Sequence, residues 1–283
     1  MLDLQEGHTA AARALDERAR VIHTDFDGGR MPWRIWGKGK PLILMHGGHG
    51  SWTHWIRNIE VLSRAHMVIA PDLPGFGEAD ALAEITPDHA AAAISGGIAQ
   101  LDLPHDLGLA AFSFGCSLLG EVLPLLGKRP KRLILIGTWM LGRSHDLSAR
   151  FQRWQELPAG PDRDAVMRHN LHVLMLHHLE RIDDEAIRLQ TRNVQMTRKG
   201  IMAMIGERDI FPRLRNAPCP VTCLYGAQDA LVTGYLEDRP AFLADMPKGS
   251  RMVVLPDAGH WLQYEAADAV NALLQDEMTS HWE

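Results

Sequence analysis

The sequence predicts an α/β protein with a mostly parallel central sheet and helices on both faces. Three observations carry that expectation. Pro41 to Met45 (PLILM) and Leu107 to Phe112 (LGLAAF) are short, continuous apolar runs, and Lys131 to Ile136 (KRLILI) becomes one after its first two residues, the pattern of strands buried on both faces. Segments with helical spacing separate them, and strands alternating with helices of this length favour parallel pairing. The runs also give way to loops rich in glycine and proline, such as His46-Gly47-Gly48-His49-Gly50 after PLILM.

In chain order, residues 3 to 19 have helix-forming, alanine-rich composition and predict an N-terminal helix on the outside of the molecule. Arg20 to Phe26 and Arg30 to Trp36 read as a hairpin turned by Asp27-Gly28-Gly29. PLILM follows as a central strand. Trp55, Ile56, Ile59 and Leu62 then predict a helix over Thr53 to Ala65. His66 to Ala70 is the next strand, closed by the loop Pro71-Asp72-Leu73-Pro74-Gly75-Phe76-Gly77. Thr86 suits an N-cap, with Pro87 at the first helical position and Asp88 in the first turn of a helix running to Leu101.

After KRLILI the rhythm breaks. Residues 139 to 215 contain no convincing strand, while Leu171, Leu174, Met175 and His178 fall at helical spacing. The expectation is a core formed by residues 1 to 138 and 216 to 283, with a helical cap, or lid, inserted over 139 to 215. The rhythm resumes with a strand at Pro220 to Tyr225, a helix near Tyr235 to Asp245, a strand at Arg251 to Leu255 and an amphipathic helix over Gln263 to Met278.

Composition narrows the function classes. The chain has 283 residues, 46 % of them hydrophobic, enough for a sizeable core. The formal charge of -6, with no basic block, implies neither nucleic acid nor an anionic membrane as partner. No apolar run approaches the ~20 residues needed to cross a bilayer. The opening MLDLQEGHTAAARALDERAR lacks the apolar stretch of a signal peptide, so a cytoplasmic enzyme is expected. Cys116, Cys219 and Cys223 fit neither a disulfide framework nor zinc spacing. His169, His172, His177 and His178 have no accompanying carboxylate cluster at ligand spacing, so they read as a solvated helix face and no metal is expected.

The chemistry centres on Ser113. It stands where an apolar strand meets a helix, with small residues two before (Ala111) and two after (Gly115). This is a relaxed G-x-S-x-G elbow, in which a strained turn thrusts the serine hydroxyl out of the sheet. Chains of this composition carry such a match often enough by chance that its partners must decide. A serine needs a base, a group to orient that base, and donors for an oxyanion. Asp229 follows the strand ending at Tyr225, and His260 follows the strand ending at Leu255. Both therefore fall where a parallel sheet collects catalytic groups, and Ser113, Asp229, His260 is the chain order this architecture uses. The backbone N–H groups of Phe114 and Gly48 are the expected oxyanion donors. HGGHG as a phosphate cradle fails, since it lacks the Lys-Ser/Thr of a P-loop and has Thr53 where a dinucleotide fingerprint needs glycine.

PLILMHGGHG, APDLPGFG, AFSFGC, LYGAQDALV and PDAGHWLQYE stand in the order of α/β-hydrolase fold enzymes, which the chain resembles across nearly its whole length. The ending GHWLQYE is similar to that of meta-cleavage-product hydrolases, which break carbon–carbon bonds in vinylogous diketones, and of epoxide hydrolases. Ser113 stands where epoxide hydrolases and haloalkane dehalogenases use aspartate. HGGHGS and AFSFGC also depart from the HGxGPG and GNSMGG-like motifs of the carbon–carbon hydrolases. Those enzymes place a cap arginine shortly after an acidic helix start; the matching place here holds Gln190, with Arg188 or Arg192 as substitutes.

The resemblance and the residues together imply a cofactor-independent serine hydrolase for a small or medium acyl substrate, most simply a carboxylic ester. The alternatives are a carbon–carbon hydrolase with the same triad and a non-catalytic small-molecule receptor. His46, Trp139, Met175, Arg188, Arg192 and Trp261 are the pocket candidates. Met167, Met196, Met202 and Met204 offer further adaptable apolar surface. A homodimer through the N-terminal helix stays open.

Overall fold

A computed structural model describes residues 8–127, 129–139, 141–204 and 210–279. Helix α1 (Ala10–Glu17) starts at Thr9, whose side chain accepts the Ala12 N–H. The remainder of the helix expected over residues 3 to 19 lies partly outside the described residues. The hairpin forms as β1 (Arg20–Phe26) and β2 (Gly29–Trp36), with Phe26 paired to Gly29. Next come β3 (Lys40–Met45), α2 (Ile59–Leu62), β4 (His66–Pro71), α3 (Pro87–Gln100), β5 (Leu107–Phe112), α4 (Phe114–Leu126) and β6 (Pro130–Ile136). Thr86 caps α3 by accepting the His89 N–H.

The segment after β6 carries α5 (Pro161–Leu174), α6 (Asp184–Gln195) and α7 (Phe211–Arg215), and no strand among its described residues. The chain closes with β7 (Val221–Gly226), α8 (Arg239–Leu243), β8 (Arg251–Leu255), α9 (Leu262–Glu265) and α10 (Ala267–Thr279).

The eight strands form one sheet in the order β1-β2-β4-β3-β5-β6-β7-β8. The β1–β2 and β2–β4 pairs are antiparallel, and the other pairs are parallel. Strand residues alternate between two cores. Ile43, Met45, Leu109 and Ala111 pack on one face, and Leu42, Leu44, Ala110 and Phe112 on the other. That double burial explains the unbroken apolar runs. The parallel pairing places the loops after β3, β5, β6, β7 and β8 on one rim.

Three expected helices break. In place of one helix over Thr53 to Ala65 there is a 3₁₀ turn at Trp52–Trp55 and then α2. Ser51, His54 and Asn58 spend their side chains on Thr53, Gly47 and Asn271, and the backbone between closes in tight i to i−3 bonds. Near Tyr235 a 3₁₀ turn (Leu236–Asp238) precedes α8, which restarts with Pro240 in its first turn. The final helix is interrupted at Ala266, whose φ of -123° and ψ of 46° leave the helical region. Among the described residues no helix is long and apolar enough to cross a membrane.

Candidate active site

Ser113 sits at the β5–α4 junction with φ 50° and ψ -116°, a left-handed backbone that non-glycine residues rarely adopt. Its N–H donates to Ile136 O at 2.8 Å, and its own C=O accepts from Cys116, so the turn is pinned from both sides. The motif's demand for small residues has a direct cause. A Cβ on Gly115 would lie 2.5 Å from His46 O and 3.0 Å from Met45 O, both backbone atoms.

The three side chains expected to cooperate are brought together. His260 Nε2 is 2.8 Å from Ser113 Oγ, and His260 Nδ1 is 2.7 Å from Asp229 Oδ2. Asp229 and His260 are buried, whereas Ser113 keeps partial exposure at the open end of the row. Because the carboxylate only accepts, Nδ1 carries the proton. Nε2 then presents its lone pair to the serine hydroxyl, the arrangement a general base needs. Asp229 Oδ1 accepts the Leu231 N–H and fixes the carboxylate plane. Gly137 lets the chain after β6 pass the imidazole, since a Cβ there would lie 3.0 Å from the ring of His260.

The Gly48 turn stands beside the elbow. A Cβ on Gly47 would be 3.2 Å from Ser113 Cβ, and one on Gly48 would be 3.5 Å from Phe114 Cβ. Neither the Gly48 nor the Phe114 N–H has a hydrogen-bond partner among the described residues. Two buried imidazoles shape this turn. His46 Nδ1 donates to Gly47 O at 2.7 Å, leaving Nε2 to accept the Leu73 N–H at 2.9 Å. His54 Nδ1 accepts the Gly47 N–H at 3.2 Å, and its Nε2 faces Gln190 Oε1 at 3.4 Å. Burial lowers the pKa of both rings; for His54, burial and the neighbouring His46 bring it down to about 3. Both imidazoles are therefore neutral at ordinary pH. Cys116, beneath the elbow, is inert because burial pushes its thiol up.

A cleft of about 1080 Å³ opens beside the turn. Gly48 and His49 line one side, and Trp154, Met167, Met175, Gln190 and Met202 from the helical segment line the other. Of the pocket candidates, Met175 lines this cleft, and the others are placed elsewhere. His46 is fully buried under the turn and holds the Leu73 loop, which is a corrected role. Trp261 is also fully buried, donating its indole N–H to His54 O. Arg188 lies exposed in a separate groove with His169 and His172, on the other side of α6 from Gln190. Arg192 turns to Glu78 at 3.3 Å instead of the cleft. Trp139 is half-buried against the core packed on Met45 and Ala111.

Several supporting residues go unread in the sequence. Glu265 accepts the Gly259 N–H at 2.6 Å and the His178 N–H at 2.8 Å. Asp72 accepts from the backbone of Trp52 and Glu78 and faces Arg34. Asn193 accepts from Ser51 and Thr53. For Asp72 and Glu265 the only sequence signal is an acidic residue between Pro71 and Leu73 or between Tyr264 and Ala266; Asn193, beside Arg192, has none.

The sequence model of the alpha/beta hydrolase family matches residues 42–273. A 2-hydroxy-6-oxo-6-phenylhexa-2,4-dienoate hydrolase of Burkholderia cepacia is 28% identical over 263 residues, covering 85% of this chain and 88% of that protein. A thermophilic esterase from Thermogutta terrifontis superposes with a TM-score of 0.74 at 23% identity, covering 93% of this chain and 99% of that one. The meta-cleavage product hydrolase CumD from Pseudomonas fluorescens IP01 gives 0.71 at 22% identity, with 92% and 97% covered. At these identities the two structures bear on the fold alone.

Proposed function

The chain belongs to the alpha/beta hydrolase family, and on that premise we propose that it is a serine hydrolase of small or medium acyl substrates, most simply carboxylic esters. The observation that carries the reading is the row Ser113–His260–Asp229, hydrogen-bonded at 2.8 and 2.7 Å. Ser113 Oγ attacks the acyl carbon while His260 Nε2 takes its proton. The carbonyl π pair moves to oxygen, which the Gly48 and Phe114 N–H groups receive; one such donor contributes roughly 3 kcal/mol. The imidazolium returns the proton to the leaving alkoxide as the ester C–O bond breaks. Water, deprotonated by the same nitrogen, then releases the acid from the acyl-enzyme. Asp229 holds the tautomer and offsets the imidazolium charge. The segment over residues 139 to 215 acts as the cap.

Carbon–carbon hydrolysis is the second reading, favoured by the name of the Burkholderia cepacia relative. Against it, Gln190 stands at the cap-arginine position of such enzymes. Arg188 faces away from the cleft, and Arg192 is committed to Glu78.

Turnover of p-nitrophenyl acetate and butyrate by wild type and Ser113→Ala tests the reading, and equal rates would end it. A yellow dienoate ring-fission product separates the two bonds, because an ester hydrolase leaves its colour unchanged. Failure of a fluorophosphonate probe to label Ser113 would favour a non-catalytic receptor.

A further inference from the structure

We infer that Gln190, on α6, is a positioning residue that aims the Gly48 N–H at the oxyanion, acting through His54 and His49. This rests on the serine-hydrolase reading above. The Gly47–Gly48 peptide is planar, so its N–H points opposite to its C=O. His46 holds that C=O from below. The aim of the Gly48 N–H therefore depends on how the chain is held on either side of the peptide, and Gln190 reaches both sides. Upstream, its Oε1 accepts the His54 Nε2–H at 3.4 Å, which leaves His54 Nδ1 free to accept the Gly47 N–H at 3.2 Å. Downstream, its Nε2 donates to His49 O at 3.1 Å. His49 needs such a hold, because it is a non-glycine residue at φ 48°.

The grip requires one side chain that accepts and donates at once. An amide does both, a carboxylate only accepts, and an alkyl chain does neither. Helix α6 keeps its seat without Gln190. Asn193, on the same face, accepts from Ser51 at 2.7 Å and Thr53 at 3.3 Å, while Arg192 pairs with Glu78 at 3.3 Å. A change at Gln190 thus alters the turn while leaving the helix docked. The cap thereby becomes part of the oxyanion machinery as well as a wall of the cleft.

The test compares wild type, Gln190→Leu and Gln190→Glu with p-nitrophenyl butyrate. It adds a trifluoromethyl ketone, which becomes an oxyanion-bearing adduct on serine. For Gln190→Leu, kcat falls about 10- to 100-fold with KM within about twofold, and the ketone's Ki rises in step with the loss in kcat/KM. For Gln190→Glu, the wild-type-to-variant ratio of kcat is smaller at about pH 5 than at about pH 8.5, because burial at this position raises the new carboxyl above the ordinary value of about 4.3, and once protonated it again both donates and accepts. The imidazoles of His46, His49 and His260 act on His54 in both proteins. Dividing by the wild-type rate leaves the pH dependence that the new carboxyl introduces, directly or through His54 beside it.

An unchanged kcat in Gln190→Leu, a loss confined to KM, or a kcat loss without a change in Ki overturns the inference. Should Gln190→Leu fail to fold, the pH trend of Gln190→Glu decides alone, and a flat ratio counts against the role. Wild type that neither turns over ester nor takes a fluorophosphonate label instead sinks the underlying reading.

Discussion

Glu265 Oε2 accepts the backbone N–H of Gly259 at 2.6 Å, so a buried carboxylate sets the Ala258–Gly259 peptide that leads into His260. Its other oxygen holds the His178 N–H, tying the His260 loop to the helical segment. Glu265→Gln keeps one acceptor and turns an N–H toward a donor. The expected outcome is a destabilisation of about 1–3 kcal/mol, with kcat lowered and KM little changed. Urea unfolding and p-nitrophenyl butyrate kinetics check both parts. Unchanged stability and unchanged kcat would show that the loop holds its shape without this carboxylate.

Gly115→Ala probes the elbow from the other side. The added methyl carbon would meet the backbone oxygens of His46 and Met45, at 2.5 and 3.0 Å, and neither atom is the end of a flexible side chain. Strand β3 and helix α4 must separate, at a cost of about 1–3 kcal/mol. The same shift displaces the His46–Gly48 turn from Ser113, so any turnover of p-nitrophenyl butyrate falls with stability. A variant with wild-type melting temperature and rate would mean the approach is looser than these distances imply.

How far the sequence reveals this site follows from which interactions leave a local trace. A strand buried on both faces is apolar over most of its length, so PLILM, LGLAAF and the LILI of KRLILI are readable, and the catalytic candidates follow as the polar residues just beyond such runs. Gly115 is legible for a similar reason, since backbone crowding admits no larger residue. His46 and Trp261 mislead because a histidine beside a glycine turn and a tryptophan beside a candidate base read equally well as pocket walls or as buried supports. Only three-dimensional packing shows that their polar atoms are spent on Leu73 and His54. The broken helix at Trp52–Trp55 has the same origin. Its apolar spacing is helical, but Ser51, His54 and Asn58 bond to partners far along the chain or outside the helix.

Arg34 marks a buried charge network beneath the loop after β4. It contacts Asp16 at 2.5 Å, Glu78 at 2.7 Å and Asp72 at 3.3 Å. Burial works against the guanidinium charge, but Asp72 and Glu78 outweigh it and raise the Arg34 pKa. Arg34→Met leaves Asp72 buried without its cation while Asp72 still holds the Trp52 and Glu78 N–H groups. The expected loss is about 3–5 kcal/mol, the cost of stranding one half of a buried pair. Denaturant unfolding measures it, and a loss below about 1 kcal/mol would place the network with surface ion pairs.

His178 gives the chain a pH-dependent clip between the helical segment and the loop that carries His260. Its Nε2 lies 2.9 Å from Asp257 Oδ1 and its Nδ1 lies 3.3 Å from Glu180. Partial burial pulls its pKa down, but Asp257, Glu265 and Glu180 pull harder in the other direction, and the net shift is upward. A histidine raised in the folded state binds its proton more tightly there than in the unfolded chain. Its contribution is therefore complete below the unfolded value of about 6.5 and disappears as pH climbs through the higher folded value. Wild type should melt above Asp257→Asn at about pH 6, with the gap closing by about pH 9. Differential scanning fluorimetry of both proteins across that window measures the gap. Because every other histidine is common to the pair, a gap of constant size would mean that Asp257 acts on stability without involving the charge on His178.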